Sequence, residues 1–96
     1  MNVGICKIRI RLPDVVTLKG KRQIVKSLTA KLRNKFNISV SEIEDNDLWQ
    51  TAAIGIAFIS NDRRFTNEVL SKSVDLVVNG QGDYEMLDYE IEILSV

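Results

Sequence analysis

The chain of 96 residues has no histidine, one cysteine, one proline and few aromatic residues. Without histidine it lacks the commonest general base and metal ligand of proteins. Cys6 has no partner for a disulfide within the chain, which fits a reducing compartment. No phosphate loop, dinucleotide fingerprint or nucleophile elbow occurs. These absences favour a binding protein over an enzyme, and we expect no catalytic residue, no cofactor and no bound metal.

Long hydrophobic runs are also missing. No apolar stretch approaches the roughly 20 residues that cross a membrane, and the N-terminus lacks a basic segment followed by an apolar signal region. Hydrophobic and charged fractions of 45% and 27% are those of an ordinary globular protein. We therefore expect one cytoplasmic domain, residues 1–96, with no membrane partner.

The net charge of zero conceals a division along the chain. Residues 1–39 contain ten basic side chains and the single acid Asp14, whereas residues 40–96 contain three basic side chains and twelve acids. The halves carry about +9 and −9. Such asymmetry predicts either a nucleic-acid surface or pairing between the halves.

The pattern of apolar residues predicts six elements. Period-two alternation indicates strands, and apolar positions three and four apart indicate helices. The predicted order is a strand over Val3–Leu12, a helix from Thr17 to about Asn34, strands over Phe36–Ser41 and Thr51–Ile59, a helix from Asn61-Asp62 to Asn79-Gly80, and a strand over Tyr84–Leu94. The order β-α-β-β-α-β predicts an α+β ferredoxin-like sandwich, with an antiparallel sheet ordered 4-1-3-2 and two helices on one face.

This topology leaves the other sheet face open. Lys7, Arg9 and Arg11 alternate along the first strand and face the acids of the last strand, which predicts cross-strand ion pairs. A base-stacking platform is not expected because the outward positions of the central strands hold no aromatic residue. The same face carries small and apolar residues, which predict a partner interface: Val3, Ile5, Ala53, Gly55, Ala57 and Ile59. A homodimer through this open face is the leading interpretation, and a different protein partner is the alternative.

The first predicted helix carries the basic cluster. Cations in the first turn of a helix oppose its macrodipole, and such local costs often mark function. The candidate residues for nucleic-acid or anion binding are Lys19, Lys21, Arg22, Lys26 and Arg33. Their spacing fits a stripe that tracks phosphates. The alternative is a solvated helix face, partly neutralised by Asp45 and Asp47.

Several segments of the sequence resemble the YlxP family of small bacterial proteins. The resemblance rests on Thr17–Arg22, Val25–Leu28, Leu32–Glu42, Asp47–Gln50, Gly55–Ala57 and Asp88–Glu90. It implies a ferredoxin-like fold and supplies no catalytic residues, because the biochemical function of the family is not established. Genes of the family often lie among those for translation initiation and ribosome maturation, which implies a role linked to RNA or the ribosome.

Together these patterns predict a non-enzymatic protein that binds RNA or a ribosomal subunit through a basic helix face. The alternatives are a protein-interaction module and a binding protein for a small phosphorylated ligand, with Arg11, Lys19 and Arg22 at its mouth. The acidic segment that holds Glu42, Glu44, Asp45 and Asp47 is interpreted as a hairpin turn more readily than as a Mg²⁺ or Ca²⁺ site. Trp49 is expected to lie in the core or to anchor the hairpin, and stacking on a base is its alternative role.

Overall fold

The computed structural model describes residues 1–45 and 48–96. Within these residues, four strands and two helices follow one another in the predicted order. They are β1 (Asn2–Arg11), α1 (Leu18–Lys35), β2 (Ser39–Glu44), β3 (Thr51–Ser60), α2 (Arg63–Asn79) and β4 (Glu85–Ser95). No helix in this part of the chain is long and apolar enough to span a membrane.

The four strands form one antiparallel sheet in the order β2-β3-β1-β4. Read from the other edge this is 4-1-3-2, so the predicted ferredoxin-like α+β arrangement is confirmed. The pairing of β1 with β4 shifts register between Arg9 and Ile10, and that of β2 with β3 shifts between Glu42 and Glu44. Ile43 lies at the second shift.

The bounds of the second strand differ from the prediction. We expected a strand over Phe36–Ser41, but β2 begins at Ser39 and ends at Glu44. Phe36 instead caps α1, and its backbone N–H donates to the carbonyl oxygen of Leu32. The prediction was wrong because Phe36, Ile38 and Val40 alternate with polar residues as in a strand, although only Val40 belongs to β2. Phe36 and Ile38 lie in the helix cap and the short link that precede β2.

The hydrophobic core lies between the sheet and the two helices. Cys6, Ile8 and Ile10 of β1 are fully buried, as their parity on the strand predicts. Each helix contributes one apolar stripe, because residues three and four apart share a helix face. These stripes consist of Val25, Leu28 and Leu32 on α1 and Val69, Leu70, Val74 and Val77 on α2.

Candidate nucleic-acid interface

The start of α1 is a well-formed helix N-terminus. The side-chain Oγ1 of Thr17 accepts a hydrogen bond from the backbone N–H of Gly20 at 3.0 Å, as an N-cap residue does. The first turn contains no acid. Lys19 and Arg22 are exposed there, so the positive end of the helix dipole and two cations face solvent together.

A shallow groove of about 330 Å³ separates α1 from β2. Arg22, Lys26 and Arg33 line it from the helix, and Ser41 and Glu42 line it from the strand. The three cations lie on one side of α1 because they are four and seven residues apart. From Arg22 to Arg33 they span about 16 Å of helix axis. Lys19 is exposed one turn earlier and is not part of the groove walls.

Arg33 is held in place by the neighbouring strand. Its Nη2 donates to the carbonyl oxygen of Val40 at 3.0 Å. A guanidinium has five N–H donors in a fixed plane, so one bond to the strand orients the group and leaves others for an anion. Arg33 is therefore a pre-oriented cation at the far end of the groove.

Lys21 does not belong to this exposed set, and its predicted role as a phosphate contact is wrong. Its side chain is only 1% exposed. The Nζ atom donates to the carbonyl oxygens of Asp45 and Leu48 and lies 2.9 Å from Glu42 Oε2. A buried ammonium ion needs such compensation, so Lys21 ties α1 to the β2–β3 hairpin.

The sequence contained a signal for this burial. Lys21 precedes Val25 by four residues and Leu28 by seven, which places it on the buried stripe of α1. Glu42 follows the buried Val40 by two residues and pairs with the buried Ile54, so it lies on the helix side of the sheet. Two opposite charges on facing buried stripes predict an internal ion pair.

The Lys21–Glu42 pair also determines the charge of the groove. Glu42 Oε2 is buried and has no hydrogen-bond donor of good geometry among the described residues, so the ammonium ion beside it is its main compensation. The charge of the Glu42 carboxylate, which lines the groove, is thus neutralised by the buried ammonium ion of Lys21. Arg22, Lys26 and Arg33 leave the groove with a charge of about +3, which suits an anionic chain.

Trp49 lies on the hairpin that Lys21 holds. It is 47% exposed, so the expectation that it lies in the core is wrong. The adjacent residue, Leu48, gives its carbonyl oxygen to Lys21 Nζ at 2.5 Å. The hairpin that carries this exposed side chain is therefore held at the same end of the domain as the start of α1.

The acidic segment of the hairpin offers no metal cluster within residues 1–45 and 48–96. Glu42 pairs with Lys21, and Glu44 Oε1 lies 2.6 Å from Lys7 Nζ. Asp47, which the candidate turn included, lies outside the described residues. The two glutamates serve as counter-ions of lysines.

The predicted ion pairs of the open sheet face are present in part. Arg9 lies 3.7 Å from Asp88, and Arg11 lies 3.4 Å from Glu85. Lys7 pairs instead with Glu44 of β2, which lies on the same face across β3. Arg11 is thus engaged on the face away from α1, which separates it from the small-ligand mouth expected with Lys19 and Arg22.

The apolar part of the open face lies at its other end, where β1 begins. Ile5 is 42% exposed and Ile59 is 59% exposed. Ala57 is exposed, while Val3 and Gly55 are half-buried. Ile5, Gly55 and Ala57 border a broad, open depression of about 550 Å³.

Ala53 departs from the predicted interface because it is fully buried. It pairs with Arg9 on one side and with Glu44 on the other. Both neighbours are long residues on the same face, so the methyl group lies beneath them. Ala53 is therefore not available to a partner.

Comparison with known proteins gives two matches. A family model described as "Protein of unknown function (DUF503)" matches residues 3–91. The chain is also 36% identical over 70 residues to the uncharacterized protein YlxP of Bacillus subtilis (strain 168), which covers 73% of this chain and 76% of that protein. The region matched by the family model includes the whole of α1 and the groove beside it.

Proposed function

Because the chain belongs to the YlxP family, a family of unknown function, its surface is the best guide to its role, and we propose that it is a non-enzymatic protein that binds RNA or a ribosomal subunit. The single observation that carries this proposal is the cationic groove between α1 and β2. Phosphate contacts supply most of the affinity of such surfaces.

The groove favours a phosphate backbone over a small ligand. It is shallow and open along about 16 Å of helix, whereas small-molecule sites are concave and bury most of their ligand. Arg22, Lys26 and Arg33 form a row along one side of α1. Lys19 extends the row toward the positive end of the helix dipole, so a chain of phosphates would meet about four cations.

Trp49 gives the proposed RNA surface an aromatic element. Base stacking on an exposed aromatic ring contributes about 1–3 kcal/mol per base and tolerates any sequence. Lys21 binds the carbonyl oxygen of Leu48, which places the hairpin that carries Trp49 beside the start of α1. An unpaired nucleotide could stack on Trp49 while neighbouring phosphates occupy the groove.

The experiment is RNA binding across a salt series. Cosedimentation with purified ribosomal subunits identifies the target, and titration of labelled single-stranded RNA measures the affinity. With four phosphate contacts the slope of log K against log salt is about −3, so raising salt from about 50 to 200 mM weakens binding roughly 50- to 150-fold. Arg22→Glu/Lys26→Glu is expected to weaken binding and to reduce the slope by about 2.

A matched control lies on the same helix. Lys31 and Lys35 are exposed on the opposite side of α1, so Lys31→Glu/Lys35→Glu makes the same change in net charge away from the groove. This variant should bind as the natural protein does. The proposal is wrong if both variants lose affinity equally, or if the natural protein binds neither subunits nor RNA at low salt.

We also propose that a second copy of the chain covers the apolar end of the open sheet face. The observation that favours it is the group of exposed apolar residues around Ile5 and Ile59. Packing two copies at this end would keep their charged ends, which hold Arg9 and Arg11, apart. Ile59→Lys should convert a dimer into a monomer in analytical ultracentrifugation. Val16→Lys changes an apolar residue that is 78% exposed on another surface, and it should leave the dimer intact. If the natural protein is a monomer, the proposal is wrong.

A further inference from the structure

The outer edge of β4 exposes main-chain hydrogen-bonding groups at known positions. Met1 and Val96 exchange both backbone hydrogen bonds, and the β1–β4 register continues without a shift as far as Arg9 and Asp88. Because hydrogen-bonded and non-hydrogen-bonded pairs alternate in an antiparallel ladder, the N–H and C=O groups of Tyr89, Ile91 and Ile93 are directed away from β1.

One of these groups already has a cationic partner. Arg63 Nη1 donates to the carbonyl oxygen of Ile93 at 3.2 Å, which agrees with the direction assigned to that carbonyl. No strand lies beside this edge among residues 1–45 and 48–96. Tyr89 and Ile91 therefore present two donors and two acceptors to a further strand.

The side chains of β4 show what such a strand would carry. On the open face β4 carries four acids, Glu85, Asp88, Glu90 and Glu92, followed by Leu94 near its end. Asp88 and Glu85 pair with arginines of β1. Lys7 is opposite Glu90 in register, but its ammonium ion pairs with Glu44. Glu90 and Glu92 thus have no ion pair within the described part of the chain. On the other face, Tyr89 is 51% exposed and Ile91 is half-buried.

β1 is the example of a strand that β4 accepts. Lys7, Ile8, Arg9, Ile10 and Arg11 alternate between basic residues on the open face and apolar residues on the helix face. A strand at the outer edge of β4 would lie beside the same acidic face and the same apolar face. It should therefore alternate basic and apolar residues in the same way. We propose that this edge binds an extended basic segment of another polypeptide by strand addition, with cations beside Glu90 and Glu92 and apolar residues beside Tyr89 and Ile91.

A second copy of β4 does not fit this edge. In an antiparallel pair of β4 strands centred on Glu90, that residue would face its own counterpart, and Asp88 would face Glu92. A centre at Ile91 would instead pair Glu90 with Glu92. Like charges directly opposite one another destabilise a sheet. The acids thus oppose self-association and select a basic partner, an arrangement by which edge strands avoid aggregation.

The probe is a synthetic peptide of about nine residues that alternates lysine with valine. It is long enough to cover the part of β4 from Asp88 to the end of the strand. It is titrated into nuclease-treated protein by ¹⁵N NMR and fluorescence anisotropy. We expect shifts centred on the amides of Tyr89 and Ile91. Methylating the valine amides, which would face β4, should weaken binding at least about tenfold through lost hydrogen bonds. A peptide of the same composition, with its lysines and valines in separate blocks, should bind as weakly as the methylated peptide.

Variants of the protein test the charges. Glu90→Lys/Glu92→Lys should weaken binding about tenfold, whereas Glu68→Lys/Asp75→Lys, which makes the same change in net charge on α2, should not. Equal binding of the methylated or block peptide, unchanged binding by Glu90→Lys/Glu92→Lys, or no binding of the alternating peptide would each overturn the proposal. The groove proposed to bind RNA lies beside β2, at the opposite edge of the sheet, so either proposal can fail without the other.

Discussion

Replacing Lys21 with methionine removes a cation whose partners are all inside the protein. Methionine keeps most of the length of the side chain and its apolar contacts. The change leaves Glu42, which is 18% exposed, without its ion-pair partner, and it leaves the carbonyl oxygens of Asp45 and Leu48 without their donor. Lys21→Met therefore tests whether the buried ammonium ion holds the hairpin on α1.

The size of the effect follows from the burial of the two partners. Breaking a buried ion pair by removing one member costs about 3–5 kcal/mol. We expect the lower figure, about 3 kcal/mol, because water reaches part of Glu42. Each kcal/mol moves the melting temperature of a domain of this size by about 4–8 °C, so Lys21→Met should melt roughly 12–24 °C lower.

Thermal and urea unfolding followed by circular dichroism measure this loss. Lys19→Met is the matched control, because Lys19 is exposed two residues earlier on the same helix, and it should change the free energy of unfolding by less than about 0.5 kcal/mol. The double variant Lys21→Met/Glu42→Leu should recover at least half of the loss, since removing both charges leaves neither unpaired. A loss below about 1 kcal/mol, or a double variant no more stable than Lys21→Met, would refute the reasoning.

Two further predictions concern the core. Burial raises the pKa of the Cys6 thiol from 9.0 to about 11. As the pH rises, the unfolded chain loses this proton before the folded chain does, so the free energy of unfolding should fall by roughly 2–3 kcal/mol between pH 9 and 11. Urea titrations of Cys6→Ala over the same pH range should lack this part of the decrease. Gly4→Ala should destabilise by about 1–3 kcal/mol, because a Cβ there would approach Leu70 Cδ1 to 2.6 Å. Gly55→Ala, whose Cβ would first meet the exposed side chain of Ile43, should cost less in the same melts, and equal losses would contradict the packing argument.

Much of the fold could be predicted from the sequence because hydrophobic periodicity reports burial directly. The alternation along β1 identified Cys6, Ile8 and Ile10 as inward residues, and the structure buries all of them. Periodicity failed where a side chain's neighbours come from elsewhere in the chain. Phe36 has the alternation of a strand but caps a helix, and Ala53 has outward parity but lies beneath neighbouring side chains.

The candidate site was predictable as a region and not as a set of contacts. Counting charges located the basic cluster on α1, yet a lysine carries the same charge in solvent and in a buried pair. Only the position of Lys21 on the apolar stripe distinguishes it from Lys19 and Arg22. Exposure of Trp49 depends on where the hairpin sits against α1, which is a tertiary property that local sequence does not determine.

The charge division of the chain is resolved by the sheet order. Pairing between the halves accounts for Lys7, Arg9, Arg11 and Lys21, whose partners all come from residues 40–96. Because β2 and β4 are opposite edges of the sheet, the cations that remain on α1 and the acids that remain on β4 are kept apart. A chain of zero net charge therefore presents a cationic groove along one edge and an anionic strand along the other. Such separation keeps the two charged surfaces of one small domain from neutralising each other.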